Sequence, residues 1–249
     1  MNFPELNLAL TAKSLTYFIK KEVERTSLKK VVLGLSGGLD SALVCYLAKE
    51  ALGAENVTAL LLPYKSSSKS SVDDAMKVVA DLGINCHQLD ISEAVDAVAK
   101  NNMVEPDKFG KSRLGNIMAR MRMISIFDYS FKEGAIVLGT SNKSEIALGY
   151  ATLFGDIASA VNPVGDLYKT WIFELGRYVG VPDSIVDKAP SADLWEGQTD
   201  ESEIGYSYKM LDPVIFNIIE RRKGREELLN MGFDDRIVDF VLKKIMAVH

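Results

Sequence analysis

The sequence predicts an α/β protein, a doubly wound parallel sheet followed by a helical C-terminal extension. Three observations predict it. Short runs rich in Val, Ile and Leu, at 31–33 (VVL), 56–62 (NVTALLL) and 135–138 (AIVL), are apolar with little alternation, as in strands buried on both faces. Segments with apolar residues at helical spacing separate these runs, and strand–helix–strand alternation implies parallel strands with helices on both faces. Beyond Tyr150 the strand-like runs stop, and mainly loops and helical patterns remain.

The elements follow in order. Residues 6–24 carry helical apolar spacing and form a leading helix. A strand at 30–35 runs into the glycine-rich segment 34–41, and a helix spans 40–52. The strand at 56–62 ends in a polar loop, 63–70. A helix over 71–82 has Asp73 and Asp74 near its start, where carboxylates suit the helix dipole. A third strand covers 84–89 and a helix 91–100. A loop with Pro106 and Gly110 covers 103–112, a long helix 114–131, and the fourth strand 135–138. Residues 150–168 are loop-like, 169–179 helical, 187–205 a long polar stretch, and 206–222 and 234–247 helical. One domain is expected, with a core over about 28–180 and an extension over about 181–249.

The most informative segment is Gly34-Leu35-Ser36-Gly37-Gly38-Leu39-Asp40-Ser41. A strand, a tight glycine turn and a helix together aim free backbone N–H groups at an anion. Gly37 and Gly38 let backbone approach a phosphate closely, and Ser36 and Ser41 add hydroxyl donors. Asp40 would repel phosphate unless a divalent cation sat between them, so the segment reads as a pyrophosphate cradle with a magnesium-holding carboxylate. The common NTPase loop ends in Gly-Lys-Ser/Thr, and here that place is Leu39-Asp40-Ser41, with no lysine. The G-x-G-x-x-G dinucleotide fingerprint does not fit glycines at 34, 37 and 38. Gly34-Leu35-Ser36-Gly37-Gly38 does match the nucleophile elbow G-x-S-x-G. A hydrolase triad then needs a downstream histidine, and the chain has only His87 and His249. A glycine turn without a ligand is the plain alternative.

A net charge of −5 does not predict general nucleic-acid affinity. No run of membrane-spanning length and no leader with a cleavage site is visible, so the cytoplasm is the expected compartment. Cys45 and Cys86 fit no metal or redox spacing and read as small buried residues.

Ligands of open parallel sheets bind at the carboxyl ends of strands. The cradle lies at one such end, and Thr140-Ser141-Asn142-Lys143-Ser144-Glu145 lies at another. Glu145 could be a second metal carboxylate or a solvated residue in a helix's first turn. Thr140 could touch a nucleotide or start a turn. Arg113, Asn116 and Arg120 fall on one helical face, with Arg122 pointing elsewhere. An arginine pair there suits a carboxylate or phosphate, or is ordinary surface.

S-G-G-x-D-S after a strand resembles the pyrophosphate loop of ATP pyrophosphatases that adenylate their substrates. These have a Rossmann-like fold of the adenine nucleotide α-hydrolase type. The likeness narrows with Gly115-Asn116-x-x-Ala119-Arg120-x-Arg122-Met123, Gly139 to Glu145, Phe154-Gly155-Asp156, Tyr168-Lys169, Pro190-Ser191-Ala192-Asp193-Leu194-Trp195 and Thr199-Asp200-Glu201. In this order they resemble the NAD synthetase family over nearly the whole chain. The resemblance implies that residues 34–41, Thr140, Lys169 and Ser191 contact ATP. Asp40 and Glu145 hold Mg2+, and Arg120, with Asn116 beside it, contacts deamido-NAD. Lys169 supplies the cation that the cradle lacks and acts in catalysis. Two positions depart from the family: Leu153 stands where a lysine is common, and Ala160 where an aspartate is common. The family's usual basic tail with a His-Lys pair is not matched before His249.

The implied reaction is ATP-dependent and amide-forming. Nicotinate's carboxylate takes AMP from ATP, pyrophosphate leaves, and ammonia displaces AMP to give NAD. Asp156 is the candidate for attracting ammonium and removing its proton, with a plain turn role as the alternative. About 30 residues precede the first strand, too few for an amidase domain, so free ammonia is the expected donor. The resemblance also implies a homodimer, with the leading helix and 114–131 as candidate interface elements. Loops 63–70, 103–112 and 187–205 are candidate lids over the anhydride. The rivals are another adenylating enzyme, such as a GMP synthetase core or a tRNA-thiolating enzyme, and a non-catalytic adenine-nucleotide sensor.

Overall fold

A computed structural model describes residues 3–105, 107–191 and 199–248. Its centre is a parallel sheet in the order β3-β2-β1-β4, formed by β1 (Lys30–Gly34), β2 (Val57–Leu61), β3 (Asn85–Gln88) and β4 (Ala135–Val137). Val32 of β1 pairs with Thr58 of β2 and with Val137 of β4. Crossing to β4 on the far side of β1 opens a crevice between the carboxyl ends of β1 and β4, the place where such sheets bind ligands.

Alternation along β1 divides the helices between two faces. Val31 and Leu33 point into a cluster with Ile19 and Val23 of α1 (Leu8–Glu24), most of α2 (Leu39–Leu52), Val78 of α3 (Lys69–Leu82) and Ile172 and Leu175 of α7 (Lys169–Val179). Val32 points the other way, towards Val95 of α4 (Ser92–Asn101) and Met118 of α5 (Lys108–Glu133). A third cluster joins α6 (Lys143–Leu148) to α10 (Tyr208–Ile219), α11 (Arg225–Asn230) and α12 (Asp235–Val248) around Leu148, Leu211, Ile215 and Val238. Its members Ala147, Leu148 and Tyr168 precede the extension in sequence. The extension is therefore packed on the helix that follows β4. Short helices α8 (Asp183–Val186) and α9 (Asp200–Ile204) complete the order.

Several boundaries differ from the sequence expectation. The long helix starts at Lys108 rather than 114, because the Asp107 carboxylate accepts the Gly110 N–H at 2.6 Å and caps it. Gly110 signalled a loop but lies inside the first turn. Residues 150–168 contain one strand-like contact, Val161 pairing with Leu138 in parallel. Pro213 sits inside α10, and the Asn217 amide bonds the Pro213 carbonyl at 2.7 Å. Cys45 is buried, whereas Cys86 is only partly so, on edge strand β3.

Candidate active site

The loop from Gly34 to Ser41 is shaped by its own hydroxyls. Ser41 Oγ donates to the Gly38 carbonyl (3.1 Å) and accepts the Ser36 N–H (3.2 Å), and Ser36 Oγ accepts the Gly38 N–H (3.2 Å). Gly37 has φ +82° and lies so close to α3 that a Cβ would stand 2.1 Å from the Ser71 carbonyl oxygen. Only glycine satisfies both demands. The side chains of Leu35 and Leu39 are buried, so these two residues can meet a ligand only through backbone. No side chain caps α2, which starts beside Gly38, so a bound anion can take that place.

At the end of β4 the chain turns through Thr140, half-buried, and Ser141 into α6. Asn142 caps α6, accepting the Glu145 N–H at 3.0 Å, while Glu145 Oε2 accepts the Asn142 N–H at 3.2 Å. This reciprocal box fixes the first turn. Asn142 has no exposed surface, and its amide nitrogen donates to Asp40 Oδ1 at 2.8 Å. Lys169, first residue of α7 and 3% exposed, pairs its ammonium with Asp40 and, at 3.6 Å, with Glu145. The carboxylates at the ends of β1 and β4 thus converge on one buried cation.

Their electrostatics follow from that placement. Burial and then the Asp40 carboxylate push the Glu145 carboxyl up to about 8, against the pull of Lys169. Burial alone would lower the Lys169 ammonium, but Asp40 and Glu145 outweigh it and hold it above the usual lysine range. Asp200, 4% exposed, is raised by burial and feels both Lys169 and Asp40. Three acids around one fixed cation leave room for added positive charge.

The arginine face of α5 meets the loop after α6. Thr152 Oγ1 donates to Asn116 Oδ1 (2.8 Å), Arg120 Nε donates to the Leu153 carbonyl (3.3 Å), and the Thr152 N–H donates to Asp156 Oδ1 (2.7 Å). Ser141 Oγ donates to the Asp156 carbonyl at 3.4 Å, which joins this group to the β4 end. Arg120 and Asp156 are exposed at the rim. Phe154, 69% exposed, holds a left-handed φ of +58° between them. Arg113 is not part of the group: its guanidinium binds the Asn102 and Met103 carbonyls behind α4. Arg122 instead reaches the site side, donating to the Leu62 carbonyl at the end of β2 (3.1 Å). Ser191 is exposed beside Pro190, whose carbonyl accepts the Asp200 N–H at 2.8 Å. Ala192, Asp193, Leu194, Trp195, Pro106 and His249, and so parts of loops 103–112 and 187–205, lie outside the described residues.

Sequence reasoning placed Asn142 and Ser144 in the strand-end motif without giving either a role of its own, and it missed Asp212. The signal for Asn142 was present, since Asn followed three residues later by Glu is a capping-box pattern. Asp212 had none, because its partners are Ser144 (2.6 Å) and the Thr170 N–H (2.8 Å), far away in sequence.

Asp40 and Glu145 offer hard oxygen donors converging on a place already held by positive charge, which fits Mg2+. Among the described residues no group of three or more His, Cys, Asp or Glu side chains converges as a metal cage.

Comparison with known proteins gives concordant results. A family model described as NAD synthase matches residues 11–247. The NH(3)-dependent NAD(+) synthetase of Fusobacterium nucleatum is 50% identical over 246 residues, 98% of this chain and 93% of the relative. Two solved structures each cover 98% of this chain and 95% of their own. One is an NMN synthetase from Francisella tularensis, 30% identical with a TM-score of 0.85. The other is an NH3-dependent NAD synthetase from Campylobacter jejuni in complex with the nitrate ion, 34% identical with a TM-score of 0.82.

Proposed function

The chain belongs to the NAD synthase family, and from that membership we propose how its own residues divide the family's reaction. The reaction is ammonia-dependent NAD synthesis by an ATP-dependent amide-forming ligase, with ATP and deamido-NAD as substrates. One observation carries the assignment: Asp40 and Glu145, from the ends of two neighbouring strands, meet on buried Lys169.

A carboxylate oxygen of nicotinate attacks the α-phosphorus of ATP. The bond to the β-phosphate oxygen breaks, and pyrophosphate leaves with the electron pair. Backbone of residues 34–41 cradles the phosphates, and Lys169 places its fixed charge against the departing pyrophosphate. Thr140 and Ser191 contact ATP. Asp40 and Glu145 would hold Mg2+, which when bound neutralises charge on the phosphates. Arg120, aided by Asn116, holds deamido-NAD. Ammonia then attacks the acyl carbon, AMP departs with the electron pair, and the surplus proton on nitrogen passes to a base. Asp156, exposed at the rim, attracts ammonium and removes its proton, which frees the ammonia that attacks. Asp156→Asn should raise the ammonium KM with ATP binding unchanged. Full amidation by that variant would remove the role.

Exposed apolar side chains on α1 (Leu10, Tyr17) and α5 (Phe127, Phe131) support a homodimer built on these helices. Among the described residues no helix is long and apolar enough to cross a membrane. The need for ATP and pyridine nucleotides supports a cytoplasmic setting.

The deciding assay supplies ATP, Mg2+, ammonium and deamido-NAD and looks for NAD, AMP and pyrophosphate. ADP as the product, or no turnover, overturns the assignment. A second acid belongs in the same assay, because Leu153 and Ala160 replace residues that commonly hold deamido-NAD and a structural neighbour is described as an NMN synthetase. Faster turnover of nicotinate mononucleotide would shift the substrate to the mononucleotide and leave the chemistry unchanged.

A further inference from the structure

We infer that Asn142 is a positioning residue that sets the separation and orientation of Asp40 and Glu145, and so decides whether the site takes a divalent cation with ATP. This rests on the metal reading above. Asp40 stands in the first turn of α2 and Glu145 in the first turn of α6, 105 positions apart in sequence. Lys169 attracts both, but a lysine ammonium is a point charge on a flexible stem and does not fix direction. Asn142 does, with three directed bonds. Its amide nitrogen reaches Asp40 Oδ1 (2.8 Å), its amide oxygen receives the Glu145 N–H (3.0 Å), and its own N–H reaches Glu145 Oε2 (3.2 Å). The residue is fully buried, so water cannot replace these bonds without moving the turn.

One oxygen of each acid is held this way. Asp40 Oδ2 and Glu145 Oε1 are the atoms that face Lys169. Asn142 therefore leaves the other oxygen of each carboxylate, the one paired with Lys169, directed at the same point. The residue type matters as much as the position. Aspartate caps a helix as well as asparagine does, but at 142 it would turn a donor towards Asp40 into a third carboxylate. Neighbours that orient ligating carboxylates typically contribute about 10–100-fold in metal affinity or activity.

The test compares wild type with Asn142→Asp, Asn142→Ala and Asp40→Asn. Mn2+ binding in the presence of a non-hydrolysable ATP analogue is followed by electron paramagnetic resonance, and melting temperature is measured without metal. For Asn142→Asp we expect metal affinity to change at least tenfold while the metal-free protein remains folded. Asn142→Ala, which also loses the cap, should lower both. Wild-type metal affinity in both Asn142 variants, with affinity lost in Asp40→Asn, overturns the inference and leaves the metal reading standing. Wild-type affinity in Asp40→Asn overturns the metal reading and the inference together. An Asn142→Asp protein that is unfolded without metal would show a role in stability rather than in positioning, and would also overturn it.

Discussion

Lys169 carries the heaviest electrostatic load of any single side chain in the site. It is buried, bonded to two acids, and lies 5.8 Å from the centre of the Tyr208 ring. Replacing it with methionine leaves Asp40 and Glu145 facing each other with no counter-charge. Removing one partner of such a buried pair costs about 3–5 kcal/mol, so Lys169→Met should lower the melting temperature, and saturating Mg2+ with ATP should recover part of the loss. Its turnover should fall at least ~100-fold, the usual effect of deleting one donor aimed at developing charge. Steady-state kinetics together with calorimetry check both. Gly37 makes a sharper claim. Gly37→Ala forces a left-handed backbone on alanine, at about 1–2 kcal/mol, and drives a methyl into the Ser71 carbonyl. Gly83→Ala, with φ +62° and open space around it, carries the conformational cost alone. A lower denaturation midpoint for Gly37→Ala than for Gly83→Ala, with a raised ATP KM only in the former, is the expected result. Equal midpoints and unchanged ATP binding would mean that the loop has no close approach to α3.

Helices decide where these residues point. No side chain of the N-cap residue Tyr168 closes α7; Asp212 of α10 does the work from a distance. Its carboxylate accepts the Thr170 N–H and the Thr170 and Ser144 hydroxyls, and Ser144 Oγ accepts the Lys169 N–H at 2.9 Å. One buried acid thus ties the start of α7, which carries Lys169, to α6, which carries Glu145. Asp212→Ala leaves several buried donors unpaired, each costing about 1–3 kcal/mol. A drop of about 3 kcal/mol in urea unfolding is expected, along with a raised ATP KM, although Asp212 touches no substrate. A normal ATP KM in a folded variant would show that the extension does not position the site. At this scale the strands, the glycine loop after β1, the strand-end motif and most helices were legible in the sequence, because each rests on a local pattern. Asp107 capping α5 was locally encoded too, but Gly110 hid it. Asp212 was not legible, since a carboxylate inside an apolar helix gives no hint of which distant N–H groups it will satisfy.

The whole molecule is two packed layers of helix around a sheet, with a third cluster grown from α6, and its outer surface is unevenly apolar. Phe131 is 93% exposed, and Phe127, Ile124, Tyr17 and Leu10 are also uncovered. Sedimentation should give a dimer at micromolar concentration, and Phe131→Asp should shift it towards monomer with melting of the monomer unchanged. A wild-type monomer at those concentrations, or an unaltered dimer in Phe131→Asp, would place the interface elsewhere. By itself the sequence determined the sheet, the glycine loop at the end of β1 and the helix starts that carry Asp40 and Glu145, because strand periodicity, glycine turns and helix starts are properties of neighbouring residues. Only the tertiary structure decided that Asp40, Glu145, Asn142 and Lys169 share one buried place, that Arg113 is turned away while Arg122 faces the site, and that Asp212 anchors it. The physical reason is that charge pairing and burial depend on distance in space, which the crossing from β3 to β4 beside β1 sets and no local pattern records.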